Sequence, residues 1–321
     1  MKTTNSSSVA NKCLYCYSEL NEEIDFHEKC SFSFFGSKQA PQLAYTLEQM
    51  TDLAKDIIER HVSIPGVQAK LSMSIISDTV GQTKTRLTVV GALGGNYIFK
   101  PPSKDFLEMT QNEHVTMKIA ESFGIKVVPS SLIRLQSGEL SYITKRIDRN
   151  EDGTKNHMLD MFQITEAFDK YKSSNEKIGK ALQLYSDNTF LDKILFYEMI
   201  IFCFLTGNND MHLKNFSMIK GVLGWTLSPA YDLLNVVILN PTDKEELALT
   251  LGGKKQKLKK LDFIQFGIEL GMTNKQIDSV FKRFENNKIK AFNWIDESFL
   301  SDEMKNNYKS LMEKRYVRFV L

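Results

Sequence analysis

The densest run of groups able to do chemistry is Gly207-Asn208-Asn209-Asp210-Met211-His212-Leu213-Lys214-Asn215, directly after an apolar stretch at 189–206. A loop set behind a rigid apolar element is a common seat for catalytic groups. Four residues separate Asp210 from Asn215, and after a short hairpin comes Ser228-Pro229-Ala230-Tyr231-Asp232. Asp, a four-residue spacer, Asn, a hairpin and a second Asp is an order that phosphoryl transfer uses. The first carboxylate accepts the proton of the attacking hydroxyl, while the amide oxygen and the second carboxylate hold Mg²⁺ against nucleotide phosphates. Hard oxygen ligands suit Mg²⁺, and one carboxylate has to stay off the metal to act as base. Asp210 is therefore the candidate base, with Asn215 and Asp232 as candidate Mg²⁺ ligands. His212 has two readings, a group that steadies Asp210 or touches phosphate, and a residue that fixes the loop. Lys214 either neutralises the transferred phosphoryl group or is structural.

Phosphoryl transfer also asks for a cation. Lys100 ends the stretch Asn96-Tyr97-Ile98-Phe99-Lys100, and Glu113 lies in the helical stretch that follows, where it could pair with the lysine. An ordinary surface ion pair is the bland alternative. No Gly-x-Gly-x-x-Gly loop precedes Lys100, and Gly91-Ala92-Leu93-Gly94-Gly95 is too late and too apolar for one. The better phosphate loop is Ser63-Ile64-Pro65-Gly66-Val67-Gln68-Ala69-Lys70, where the amides at Gly66, Val67 and Gln68 beside the Ser63 hydroxyl can hold phosphate.

A second constellation occupies the start of the chain. Cys13 and Cys16 form Cys-x-x-Cys, and His27-x-x-Cys30 follows. Two such pairs across a loop can face one ion, and thiolate with imidazole suits tetrahedral, structural Zn²⁺. A redox pair and chance spacing are the alternatives. Cys203 lies in the apolar stretch and reads as core.

These groups need elements to carry them. The spacing predicts a linker at 31–42, a helix at 47–60, strands at 70–77, 86–92 and 96–100, a helix at 108–123 and a hairpin at 132–145. From about residue 150 the pattern turns helical, at 158–168, 175–185, 189–206, 260–270, 273–287 and 301–315, with one hairpin at 216–227. The expectation is an α+β, bilobal fold: a Cys/His-rich segment and linker at 1–45, a small β-rich lobe at 46–148 and a larger helical lobe at 149–321. Basic residues number 41 and acidic ones 39, a net charge of +2, which argues against a chain-wide grip on nucleic acid. The run Lys254-Lys255-Gln256-Lys257-Leu258-Lys259-Lys260 reads as a solvated face, with contact to an acidic partner, tRNA or DNA as the sharper alternative. No signal-peptide pattern opens the chain and no apolar run reaches the roughly twenty residues a bilayer needs, so a cytoplasmic protein with no membrane partner is expected.

Ser-Ile-Pro-Gly-Val-Gln-Ala-Lys, Phe-Lys-Pro-Pro, Ile-Thr-Lys-Arg-Ile-Asp, Gly-Asn-Asn-Asp-Met-His-Leu-Lys-Asn-Phe-Ser and Leu-Ser-Pro-Ala-Tyr-Asp-Leu together resemble the HipA family over about 60–255. These are serine/threonine kinase toxins of bacterial toxin–antitoxin systems with a protein-kinase-like fold. The resemblance implies Asp210 as base, Asn215 and Asp232 on Mg²⁺, Lys100 on the ATP phosphates, and the adenine hinge at Lys145, Arg146 and Ile147, next to Asp148. It implies Ser63 as a phosphate-loop serine that autophosphorylates, which ejects the loop and inactivates the kinase. Pro65 stands where some short relatives have a second phosphate-loop serine. The space before the kinase core holds only the cysteine-rich segment, which resembles the short HipT-type form, whose missing subdomain is a separate small protein. The implied partners are a HipB-like DNA-binding antitoxin, with DNA met only through it, and a protein substrate of the aminoacyl-tRNA synthetase class. Two rival functions remain: a small-molecule phosphotransferase, and a non-catalytic zinc-containing regulatory subunit on a kinase-like fold.

Overall fold

The computed structural model describes residues 11–60, 70–77, 85–90, 95–150, 152–222 and 224–320. The phosphate-loop candidates Ser63, Gly66, Val67 and Gln68 lie outside the described residues. The chain divides into two compact units, 1–102 with 129–145, and 103–128 with 146–321.

The first unit runs through α1 (Glu28–Phe35), α2 (Leu47–Arg60), β1 (Leu71–Ser77), β2 (Thr85–Val89) and β3 (Tyr97–Lys100). The chain then leaves it for α3 (Met109–Ser122) of the second unit and returns as β4 (Ser130–Arg134) and β5 (Leu140–Lys145). The five strands form one antiparallel sheet in the order β2-β1-β3-β5-β4, with Leu71 opposite Phe99, Phe99 opposite Ile143 and Tyr97 opposite Lys145. Leu71, Met73, Leu87, Phe99, Leu132 and Ile143 are buried in it.

Two expectations fail here. The stretch 31–42 opens within a helix rather than a linker, because its aromatic residues are anchors. Phe34 and Phe35 are buried with ring centroids 5.9 and 6.2 Å from Tyr97, and the Ser31 hydroxyl donates to the Ser37 carbonyl at 2.7 Å. The β-rich lobe is also not continuous over 46–148. Helix α3 groups with the helical unit, where Thr116 Oγ1 lies 2.8 Å from the Tyr308 hydroxyl and Asn112 meets the backbone of Asn235.

The second unit continues with β6 (Met158–Asp160), α4 (Met161–Ile164), α5 (Asn175–Tyr185), α6 (Thr189–Thr206), a 3-10 turn (Leu213–Asn215), β7 (Ser217–Gly221) and β8 (Gly224–Leu227). The helices α7 (Val236–Leu239), α8 (Lys260–Glu269), α9 (Asn274–Asn286), α10 (Lys288–Glu297) and α11 (Asp302–Val320) complete it. Instead of a helix over 158–168, β6 pairs antiparallel with β7, and Asp160 then starts α4 through a capping box with Gln163. Helix α6 is buried continuously from Phe196 to Thr206, Cys203 included, as a helix apolar all round must be. Among the described residues no helix is long and apolar enough to cross a membrane.

Candidate active site

Helix α6 aims its last carbonyls at the polar loop, and Gly207 makes the turn. Its φ is +75°, and a Cβ there would sit 2.4 Å from Leu311 Cδ2 and 2.7 Å from Asn235 Oδ1. Only glycine fits both the left-handed backbone and the space. The Gly207 carbonyl accepts the N–H groups of Val236 and Val237 at 3.0 and 3.2 Å, so the segment after Asp232 starts on the same anchor. Asn208 is fully buried and ties the two loops: Nδ2 donates to the Asp232 carbonyl at 3.5 Å, and Oδ1 accepts the Asp210 N–H at 3.3 Å.

From that frame the carboxylate of Asp210 is half-buried. Asn215 Nδ2 donates to the Asp210 carbonyl at 3.0 Å, which commits the amide nitrogen and leaves Oδ1 as the acceptor. Asp210 Oδ1 itself accepts a hydrogen bond from the Tyr171 hydroxyl at 2.7 Å. Burial and the Asp210 charge raise the Tyr171 phenol well above its ordinary value, so it stays protonated and donates. The Tyr171 ring stands edge-on to His212, centroids 5.0 Å apart, and the Lys170 carbonyl accepts the Leu213 N–H at 3.2 Å. His212 is buried and its Nδ1 has no hydrogen-bond partner. Burial pushes the imidazole below its ordinary value; Lys170 adds to that and Asp210 opposes it. A neutral, ring-packed imidazole fits the loop-fixing reading. Lys214 is exposed, its ammonium 4.8 Å from the Phe162 ring centroid.

Asp232 adopts a left-handed backbone, φ +55°, a strained conformation for a residue with a Cβ and one that clusters at functional sites. Its neighbours hold it there. The Tyr231 hydroxyl donates to the Lys214 carbonyl at 3.1 Å and lies 2.5 Å from Ser217 Oγ. On the far side, Asn112 of α3 makes a reciprocal buried pair with Asn235: Nδ2 donates to its carbonyl at 2.9 Å and Oδ1 accepts its N–H at 2.8 Å. Asp210, His212, Lys214, Asn215 and Asp232 thus belong to one bonded framework within the second unit.

The remaining candidates are distributed between the units. Lys100 closes β3 of the first unit, 3% exposed, with Nζ 5.3 Å from the Tyr142 ring centroid. Glu113 lies in α3 of the second unit and is 1% exposed. Lys145 ends β5, and its N–H donates to the Pro129 carbonyl. Arg146 forms a two-pronged pair with Asp148 at 2.7 and 2.9 Å, and Arg149 pairs with the same carboxylate. Burial alone would raise Asp148, but the two guanidiniums hold it below the usual carboxylate range. The Ile147 carbonyl accepts from Asn156 Nδ2 at 3.5 Å. Cys13, Cys16, His27 and Cys30 bring their ligand atoms within 4.8 Å of one another and could hold a metal ion. The lysine run is only partly a solvated face, since Lys254 and Lys255 pair with Asp262 and Glu245 and Leu258 is buried.

Sequence reasoning gave no role to Tyr171, Asn208, Tyr231 or Asn112. The run Gly207-Asn208-Asn209 carried a signal for Asn208, because adjacent amides behind a buried helix have to bond something. Tyr171 precedes Asp210 by 39 residues and carried none.

Residues 62–292 match the HipA-like C-terminal domain family. Among curated proteins, one from Haemophilus influenzae named "Putative kinase" is 25% identical over 290 residues, spanning 81% of this chain and 82% of its own length. A similarly named Sinorhizobium fredii protein is 34% identical over 190 residues, 54% of this chain and 45% of that one. Among solved structures, a chain of the Shewanella oneidensis HipA–HipB toxin–antitoxin complex with operator DNA matches with a TM-score of 0.66 at 20% identity, over 83% of this chain and 71% of that one. The Helicobacter pylori proinflammatory kinase CtkA matches at 0.55 and 16% identity, over 78% and 93%. Both structures share the mixed fold, a β-sheet followed by a helical part. With most of its length inside the family match, the chain belongs to the HipA-like C-terminal domain family.

Proposed function

We propose that this protein is an ATP- and Mg²⁺-dependent kinase that phosphorylates serine or threonine hydroxyls of a protein. The observation that carries the proposal is the single framework of Asn208, Asn215 and Tyr231 that fixes Asp210 and Asp232. The donors on offer there are two carboxylates and an amide oxygen, a hard set that suits Mg²⁺ and disfavours softer metals. When bound, Mg²⁺ supplies charge neutralisation for the nucleotide phosphates. Asn215 Oδ1 and the Asp232 carboxylate would hold it. Asp210 stays off the metal and takes the proton of the acceptor hydroxyl, for which the Tyr171 hydroxyl competes at Oδ1. His212 packs as a neutral ring against Tyr171, and exposed Lys214 is the assigned cation for the phosphoryl oxygens.

The nucleotide phosphates are assigned to Lys100 and to the loop of Ser63, Gly66, Val67 and Gln68. The adenine is assigned to the backbone at Lys145 to Ile147, braced by the Arg146–Asp148 pair. Family membership and the HipA–HipB complex among the structural relatives support a cytoplasmic toxin held by a HipB-like antitoxin, with a translation protein as substrate and Ser63 as the self-inactivation site.

Transfer of labelled γ-phosphate to protein tests this directly. Wild-type protein is expected to label itself or a cell extract only with Mg²⁺, and Asp210→Asn to lower the rate about 10³-fold, the middle of the range for a general base. Labelling of small hydroxylated compounds with proteins left untouched, or an unchanged rate in Asp210→Asn, would overturn it.

A further inference from the structure

The kinase reading leaves the Cys/His constellation of the first unit unused. Its geometry is that of a prepared metal site. Cys16 Sγ and Cys30 Sγ lie 3.5 and 3.9 Å from His27 Nδ1, and all four ligand atoms fall within 4.8 Å of one another. Zn–S and Zn–N bonds of about 2.3 and 2.0–2.1 Å in a tetrahedron give ligand–ligand edges of roughly 3.5–3.8 Å. Three features point to a ligand rather than to chance proximity. First, His27 Nε2 lies 3.0 Å from the Glu19 carbonyl, so the ring donates there and Nδ1 faces the sulfurs; this is the outer bond that metal-bound histidines ordinarily make. Second, His27 and Cys30 are the N-cap and third residue of α1, one turn apart on one face. Third, the Cys13–Cys16 turn is closed by the Tyr17 N–H on the Cys13 carbonyl at 2.9 Å, with Tyr17 buried at φ +65°. A bulky residue in that region is an outlier that persists only where its surroundings over-determine it.

We propose that Cys13 Sγ, Cys16 Sγ, His27 Nδ1 and Cys30 Sγ bind one Zn²⁺, and that the loaded knuckle seals the open edge of the five-stranded sheet at β4. With four protein ligands the coordination is closed, so the ion is structural. A redox Cys-x-x-Cys needs only two of these residues and gives no reason for His27 and Cys30 to converge on it. The knuckle reaches β4, the last strand of the sheet, through its backbone. The Leu14 carbonyl, one residue past Cys13, accepts the Leu132 N–H at 3.3 Å and the Ser131 hydroxyl at 3.5 Å. Asp25, two residues before His27, takes Arg134 Nε at 2.9 Å. From Cys30 onward α1 carries Phe34 and Phe35 onto Tyr97. An exposed strand edge is a template for unwanted pairing, and covering it is the usual remedy. Eighteen residues with few buried side chains cannot hold such a cover by packing alone, whereas a zinc ion supplies the missing folding energy.

The full chain is purified without chelator and its metal content measured, together with Cys16→Ser and, as a control at the cysteine outside the cluster, Cys203→Ala. The expected result is about one zinc per chain in wild type and the control, and a several-fold loss in Cys16→Ser. Replacement by Co²⁺ should give thiolate charge-transfer and intense tetrahedral d–d bands. Hydrogen exchange over 130–134 should speed up in Cys16→Ser or after chelation, while α6 and α11 keep their protection. If Cys16→Ser does not fold, the cobalt spectrum of the wild type decides the matter. No zinc retained after loading and desalting, full zinc retained by a folded Cys16→Ser, or an octahedral cobalt spectrum would overturn the site. Unchanged exchange over 130–134 would overturn its role at β4. None of these readouts depends on ATP turnover, so the zinc site and the kinase reading stand or fall separately.

Discussion

The Tyr171 hydroxyl sits 2.7 Å from Asp210 Oδ1, one of the two oxygens to which an acceptor hydroxyl would give its proton under the proposed function. A hydrogen bond to a charged group is worth about 1.5–3 kcal/mol, and water restores most of it when the ring moves away. Tyr171→Phe removes the competitor and keeps the ring against His212, so kcat/KM for protein phosphorylation should rise, roughly two- to tenfold. A fall in the same assay would make Tyr171 a group that aims the base. His212 makes a separate, pH-linked prediction. Its native pKa lies below the ordinary imidazole value of about 6.5 because burial disfavours the charged ring. The unfolded chain therefore binds the extra proton first. The contribution of His212 is fully present above pH about 6.5 and is lost as pH falls toward the lowered native value. Chemical denaturation between pH 7.5 and 5 should show a steeper loss of stability in wild type than in His212→Asn.

At the level of elements, the site depends on two junctions. Gly207→Ala would place a methyl 2.4 Å from Leu311 Cδ2 in a left-handed backbone. Overpacking and the backbone term together should cost about 2–4 kcal/mol, read as a lowered denaturation midpoint. Asn112→Ala leaves a buried N–H and a buried carbonyl of Asn235 without partners, at about 1–3 kcal/mol each. Because Asn235 follows Asp232 by three residues, Mg²⁺ should also bind more weakly, and a metal titration of ATP-bound protein checks that. The sequence made much of this legible. The buried run of α6, the glycine that stops it and the spacing of Asp210, Asn215 and Asp232 are local signals, and helices α5 and α6 fall where their apolar periods predict. What escaped was set by distant partners. Met158, Met161 and Phe162 have helical spacing, yet 158–160 is a strand because β7 pairs with it. Helix α10 follows α9 with only Asn287 between and no glycine or proline to mark the break, and the four-residue α7 is too short to show a period. Helix α1 was hidden by aromatic residues that look like a linker until Tyr97 is there to receive them.

For the whole molecule, the near balance of 41 basic and 39 acidic residues gives no broad field to draw in nucleic acid. In the proposed toxin reading any operator DNA is met through an antitoxin, and the isolated chain should bind duplex DNA no more tightly than about 10⁻⁶ M at physiological salt, the non-specific range. Fluorescence anisotropy with and without a HipB-like partner checks this. The two units carry separate features, the Cys/His cluster beside the five-stranded sheet in one and the Asp210–Asp232 framework in the other. If this framework transfers phosphate, as proposed, the protein modifies itself. Intact-mass spectrometry with site mapping, after incubating wild type and Asp210→Ala with Mg-ATP, tests it most directly. One added phosphate on Ser63 in the wild type alone is the predicted result. Phosphate on Ser63 in both proteins, or in neither although both bind ATP, would contradict it.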